Sequence, residues 1–260
     1  MFSFFKKKIQ DTSEAEQKEV HVEDFTNIEI ISDYFKNETG VTFEKQTSIL
    51  KSKLTTFCRH RDIYSFTKLL ETVKADKDIK QELIDYLTTN ETFFYREFSQ
   101  IQKLVELVKK SNKKVDILCA PSATGEEPYS IAIALLEAGV TPDNFKILGI
   151  DINALAILDA KTAVYKVRNI RNLSDSILDK YFVEDEKHYI LKPIVKSQVT
   201  YKLANLFDPS FKSLGKFDFI FSRNMLIYFD RETKIKAKEI LESMRKNEEQ
   251  EIFFGHADLF

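Results

Sequence analysis

The chain of 260 residues has no tryptophan, only two cysteines, six glycines and five prolines. Two cysteines cannot make a disulfide framework, so Cys58 and Cys119 read as reduced thiols of a cytosolic protein. Six glycines leave no G-x-G-x-x-G run, which excludes the nicotinamide-dinucleotide fingerprint. An unbroken stretch of apolar residues long enough to span a bilayer is missing too, so no membrane insertion is expected. The start, Met1-Phe2-Ser3 through Lys8, has no cleavable apolar core of the kind a signal peptide carries. Charge of one sign is also lacking. With 39 basic and 41 acidic residues and a formal charge of −2, a surface built wholly for nucleic acid is excluded. A local basic patch is not. His21, His60, His188 and His256 do not cluster with the cysteines, so no metal site is expected. There is no internal repeat and no low-complexity tract.

What is present is organised around residues 115–138, VDILCAPSATGEEPYSIAIALLEA. The apolar run 115–119 predicts a strand buried on both faces. A small-residue turn, 120–125, follows, and then a helix with Pro128 in its first turn and Gly139 as its stop. Strand, tight turn and helix open a βαβ unit, in which ligands bind at the carboxyl end of the strand. Glu126 and Glu127 stand at the helix start. They complement the helix dipole, and they would repel a pyrophosphate. The turn therefore suits a neutral or cationic nucleoside, and S-adenosylmethionine, which has a sulfonium and no phosphate, is such a molecule. Both glutamates are equally explained as ordinary first-turn residues of a helix.

Residues 1–24 are charged, lack apolar periodicity and read as a mobile tail. Its Phe2, Phe4 and Phe5 beside three lysines suit either a loosely docked terminus or a membrane or partner contact. Residues 25–90 read as a helical domain. One helix, capped by Thr26 and ended by Gly40, carries Ile28, Ile31 and Phe35. Three more carry Ile49, Leu50, Leu54 and Phe57, then Phe66, Leu69, Leu70 and Val73, then Ile79, Leu83, Ile84 and Leu87. The helix with Ile49 also carries Lys45, Lys51 and Lys53, with Arg59 beyond. This dense basic cluster is either a solvated face or a binding face for an acidic surface. The stretch TTNETFFYR at 88–96 sets hydroxyl and amide groups against three aromatics and an arginine, and is placed to line a cleft between two parts of the chain.

The α/β pattern continues with a strand at 146–151 ending in Asp151, the position of the ribose-binding acid in doubly wound folds. Two alternating stretches, 188–194 and 199–203, read as a small antiparallel insertion at about 183–203. A buried strand at 217–221 ends in Ser222, Arg223 and Asn224, with Tyr228 one turn later. A charged helix follows at 230–246, and a last strand at 251–256.

Four stretches together resemble the CheR family, the chemotaxis receptor glutamate methyltransferases. They are TTNETFFYRE at 88–97, TGEEPYSIA at 124–132, Asp151-Ile152-Asn153, and FDFIFSRNMLIYFD at 217–230, in the family's order and at near-family spacing over about residues 25–257. The resemblance implies an all-α N-terminal domain followed by a Rossmann-like domain (91–260) with a small antiparallel β insertion. It implies S-adenosylmethionine as methyl donor and S-adenosylhomocysteine as product. It places Asn90, Thr92, Arg96, Glu127, Asp151, Asn205, Leu206, Arg223 and Asn224 at the family's cofactor contacts, with Arg96 and Tyr228 nearest the reacting methyl. The chain departs from the family at Pro121, where glycine is common, at Ser122-Ala123, and in ending soon after its last strand, so that an incomplete sheet edge is expected.

The implied acceptors are glutamates on the cytoplasmic helices of chemotaxis receptors, and Lys45, Lys51, Lys53 and Arg59 are the residues expected to steer such acidic helices. A monomer that binds no nucleic acid is expected; the Asn/Asp-Pro-Pro-aromatic run of amino-methylating enzymes is absent. The competing reading is a catalytically silent S-adenosylmethionine-binding signalling protein.

Overall fold

Apolar residues every three or four positions make amphipathic helices of the first part of the chain. A computed structural model describes residues 22–44, 46–111 and 113–258. It begins with α1 (Glu29–Thr39), α2 (Thr47–Arg59), α3 (Phe66–Ala75) and α4 (Lys77–Leu87). Ile31, Phe35, Leu50, Leu54, Phe57, Leu69, Val73, Leu83 and Leu87 meet in one core. Ser65 and Asp76 cap α3 and α4 with their side-chain oxygens. Gly40 closes α1 as expected, but Thr26 does not open it. The Thr26 hydroxyl and N–H are both taken by Asp24 at 2.6 and 3.2 Å, so the chain turns there and the helix starts later.

The expected tail is shorter than 24 residues. Asp24 bridges to Ser65, and Glu23 pairs with Arg59 at 2.6 Å. Residues 1–21, with Phe2, Phe4 and Phe5, lie outside the described residues.

The chain continues through α5 (Phe98–Ser111), β1 (Val115–Cys119), α6 (Glu126–Glu137), β2 (Phe145–Asp151), α7 (Ala154–Thr162), β3 (Val164–Lys166), α8 (Val167–Ile170) and α9 (Asp175–Tyr181). It ends with β4 (Phe182–Asp185), β5 (His188–Leu191), α10 (Pro193–Lys196), β6 (Val199–Leu203), β7 (Phe219–Ser222), α11 (Arg231–Ser243) and β8 (Ile252–Phe254). Five strands form a parallel sheet in the order β6-β2-β1-β7-β8. β1 is central and covered on both faces. Val115, Ile117 and Cys119 pack with Leu104, Ile131 and Leu135, while Leu118 and Ala120 pack with Ile220 and Leu241. That double burial is why the strand reads as an unbroken apolar run. From β1 the chain moves outward to β2 and β6, then crosses back to β7 and β8. The reversal opens a crevice at the carboxyl ends of the strands.

The antiparallel unit differs from expectation. It is a three-stranded sheet in the order β3-β5-β4, and β6 is not part of it. Val199–Leu203 pairs in parallel with β2, Val199 opposite Ile147 and Leu203 opposite Asp151. Alternation at 199–203 reports the burial of Val199 and Tyr201, though Leu203 at its end is exposed, and it carries no information on partner or direction. An edge strand of a parallel sheet alternates as well.

The helical part is fastened to the sheet part by polar bonds. Asp85 accepts the Ala154 N–H at 2.7 Å, and Asn153 donates to the Asp85 carbonyl and to Thr88 Oγ1. Thr42 N–H donates to the Tyr228 carbonyl at 2.9 Å, and Lys36 pairs with Asp230 at 2.6 Å. Among the described residues no helix is long and apolar enough to cross a membrane.

Candidate active site

A cleft of about 950 Å³ opens at the carboxyl ends of β1, β2 and β7, with the helical part as its opposite wall. Its lining includes Asn90, Thr92, Arg96, Glu127, Asp151, Asn205, Leu206, Arg223, Asn224 and Tyr228. Sequence reasoning picked these ten residues from five separate stretches, and folding brings them to one cavity.

The floor is the 120–125 turn. Four of its backbone N–H groups are already used. Ala120 donates to the Phe221 carbonyl, Ser122 to Ile150, Gly125 to Ser122, and Ala123 to Asp151 Oδ2 at 2.8 Å. Such a turn has few free donors for a phosphate, in line with the sequence reading. Asp151 is nearly fully buried at the end of β2. Its other oxygen accepts the Asn153 N–H at 2.9 Å. Burial pushes its carboxyl up to about 6, and the N–H donors oppose that shift.

The far side of the floor carries a buried ion cluster. Arg223, 2% exposed at its side chain, pairs with Glu127 at 3.0 Å and approaches Glu97 at 3.7 Å. It also donates to the Arg96 carbonyl at 2.6 Å. One guanidinium thus faces two carboxylates, and Glu97 is also met by His256 Nδ1 at 3.1 Å. Glu127 Oε1 is buried without a hydrogen-bond partner among the described groups. Burial raises the Glu127 carboxyl, and Arg223 pulls it back. A carboxylate oxygen of this kind at a cleft wall wants a cation or a donor.

Arg96 is only lightly held. It donates to the Glu91 carbonyl at 3.3 Å and lies 5.7 Å from the Phe93 ring centroid. Tyr228, 38% exposed, sits on a 3-10 turn (Leu226–Tyr228) beside Ile227. Burial raises its hydroxyl and Arg96 opposes that. Asn205 is already committed, donating to the Glu38 carbonyl and accepting the Phe207 N–H at 3.0 Å.

The two glutamates part company. Glu126 is fully buried away from the cleft, where it accepts Thr124 Oγ1 at 2.6 Å and Asn169 Nδ2 at 2.7 Å. Consecutive residues on a helix point about 100° apart, so only one of the glutamates can face the ligand. The basic cluster is also divided. Lys53 lines the cleft, whereas Lys51 and Arg59 lie on another side of α2, beside Ser48 and Thr55. Residues two apart on a helix do not share a face. Arg59 is further occupied by Glu23 through two hydrogen bonds at 2.6 and 2.9 Å. Lys45 lies outside the described residues.

Sequence reasoning missed Glu97, the second carboxylate on Arg223, although it follows Arg96 directly. It also missed the contribution of Thr42, Ile49, Arg231 and Lys234 to the outer wall. Ile49 is 54% exposed because it faces the cleft and not the helical core its spacing suggested. Among the described residues no group of three or more His, Cys, Asp or Glu side chains is arranged to hold a metal.

Comparison with known proteins identifies the lineage. The model of the CheR methyltransferase SAM-binding domain matches residues 90–260, the part that builds the floor of the cleft.

The chain belongs to the CheR methyltransferase family.

Relatives match beyond that segment. The chemotaxis protein methyltransferase of Campylobacter jejuni is 37% identical over 222 residues, 85% of this chain and 84% of the relative. Chemotaxis protein methyltransferase 2 of Vibrio cholerae is 31% identical over 245 residues, covering 87% and 83%. The chemotaxis protein methyltransferase of Borreliella burgdorferi is 31% identical over 239 residues, covering 85% and 84%. The resemblance read from four short motifs is thus a family relationship that includes the helical part.

Proposed function

We propose that this CheR-family enzyme transfers the methyl group of S-adenosylmethionine to glutamate side chains on the cytoplasmic helices of chemotaxis receptors, acting as a monomeric cytoplasmic protein. The supporting observation is the unpartnered buried Glu127 oxygen beside Arg223, at the wall of a cleft whose floor turn keeps few free backbone donors. That donor set fits a cationic methyl donor and not a phosphorylated nucleotide. Residues 25–90 and 91–260 are taken as two units, with the reaction in the cleft between them.

In this reading Asp151 accepts the ribose hydroxyls, and Glu127 with Arg223 receives the amino-acid end. Ile152 and Leu206 supply apolar lining for a purine. Asn90, Thr92, Asn205 and Asn224 complete the contacts. When bound, the donor supplies a methyl carbon on a positively charged sulfur, which leaves as a neutral thioether, S-adenosylhomocysteine, as an ester O–C bond forms. The acceptor glutamate is already ionised near neutral pH, so the chain needs no general base. Its work is alignment of the acceptor oxygen with the methyl. Opposite charges are neutralised in the step, so a partly dry cleft favours it. Arg96, lightly held and facing the cleft, steers the carboxylate, and the Tyr228 hydroxyl orients it. Lys53 contributes to docking of the acidic receptor helix; Lys45, Lys51 and Arg59 remain candidates for longer-range attraction. No metal enters this scheme.

The test is transfer of labelled methyl to receptor fragments, with base-labile release showing an ester. Arg96→Ala is expected to cut transfer by about 10²-fold or more, the scale of a lost alignment contact, with melting temperature almost unchanged. An Arg96→Ala protein of full activity removes that role. A protein that binds S-adenosylmethionine but transfers nothing to any fragment is the silent signalling protein instead.

A further inference from the structure

Behind the loop that carries Asn224 and Tyr228 lies an acid that none of the site motifs includes. Asp258, in a 3-10 turn (His256–Asp258) after β8, is 1% exposed. Its Oδ2 accepts the backbone N–H of Asn224 and that of Gly255, the latter at 3.2 Å, and its Oδ1 accepts the Ile227 N–H at 3.2 Å. The two loop donors belong to a segment with little regular hydrogen bonding of its own. Asn224 sits at φ 59°, a left-handed conformation uncommon for non-glycine residues and tolerated best by asparagine and aspartate. The approach is close. A Cβ on Gly255 would come to 3.0 Å from the Asn224 backbone nitrogen and from Asp258 Oδ2, so a side chain there would crowd the contact.

We propose, resting on the methyl-transfer reading above, that Asp258 is a positioning residue: its buried carboxylate fixes the backbone of Asn224 and Ile227 and so sets where Asn224 and Tyr228 face the cleft. The loop is pinned from two directions. Asp258 holds its start and middle, and Thr42 of the helical part holds the Tyr228 carbonyl. The anchors between them, Leu226 and Phe229, are buried and apolar. Three backbone N–H groups, those of Asn224, Gly255 and Ile227, lose their acceptor if the carboxylate is removed. An amide cannot replace it, because its NH₂ would face a donor on one side.

Asp258→Asn and Asp258→Ala are compared with Asp258→Glu and with Leu69→Ala, a control that destabilises the remote helical core. Hydrogen exchange of the peptide spanning 223–228, S-adenosylmethionine affinity by calorimetry, and kcat and KM for methyl transfer are measured on the full chain. Loss of exchange protection in that peptide, with about tenfold weaker donor binding and lower kcat in the Asn and Ala variants, supports the assignment. Recovery in Asp258→Glu, together with wild-type binding and kcat in Leu69→Ala, is also expected. Unchanged protection at 223–228 in Asp258→Ala overturns the proposal. So does an equal kinetic loss in Leu69→Ala at matched melting temperature, since the effect is then general destabilisation. The exchange readout needs no ligand. A wild-type protein that transfers no methyl therefore counts against the function and not against the clamp.

Discussion

Replacing Arg223 with methionine removes the buried guanidinium from this cluster and keeps most of its volume. In the wild type the guanidinium lies 3.0 Å from Glu127 and 3.7 Å from Glu97 and donates to the Arg96 carbonyl. Breaking a buried pair by removing one partner costs about 3–5 kcal/mol, because the other charge is stranded. Here Glu127 loses its guanidinium, while Glu97 keeps its contact with His256 Nδ1 at 3.1 Å, so the loss is expected at the lower end of that range. About 3 kcal/mol corresponds to a fall of roughly 6–12 °C in melting temperature for a chain of this size. The sign with pH follows from the carboxyls. Without Arg223 the folded-state Glu127 carboxyl rises further above its ordinary value. A raised carboxyl favours the folded state at low pH and withdraws that support as pH rises through the ordinary value to the raised one. The deficit against wild type is therefore larger at pH 8 than at pH 5. Thermal melts at both pH values measure it. Adding Glu127→Gln to Arg223→Met is expected to restore a good part of the loss, a coupling that a double-mutant cycle isolates. An Arg223→Met protein that melts within a degree of wild type at pH 8 refutes the reasoning, as does a double variant no better than the single.

Two other perturbations probe the floor of the cleft. Asp151, raised by burial to about 6, must be ionised to accept a ribose diol with full strength, so S-adenosylmethionine affinity is expected to fall as pH drops from 7 to 5. With a titration near 6 the weakening at pH 5 is about tenfold, read by calorimetry; equal affinities at the two pH values contradict the role. Gly149→Ala on β2 would place a Cβ 2.6 Å from the Tyr201 ring and 3.0 Å from Ser122. That ring is packed edge-on against Tyr129, so the overpacking is expected to cost about 1–3 kcal/mol, seen as a lower denaturation midpoint. A midpoint equal to wild type means the ring yields freely.

Much of the molecule was written in local pattern. Apolar spacing located the four N-terminal helices, and the continuous run at 115–119 located a strand covered on both sides. Polar residues at strand ends, Asp151 and Arg223-Asn224, marked the crevice because a buried strand has no other reason to stop in charge. These features depend on residues adjacent or one turn apart, so the sequence determined them by itself. The tertiary structure decided everything that depends on direction and partner. Only strand pairing made Val199–Leu203 an edge of the main sheet. Helical rotation sent Glu126 inward and Glu127 to the cleft, and it separated Lys53 from Lys51. Asp258 reaches Asn224 across more than thirty positions of chain, at a distance only folding can close. Periodicity reports which face of an element is buried; it does not report what lies against that face, and the chemistry of this cleft is made by such encounters.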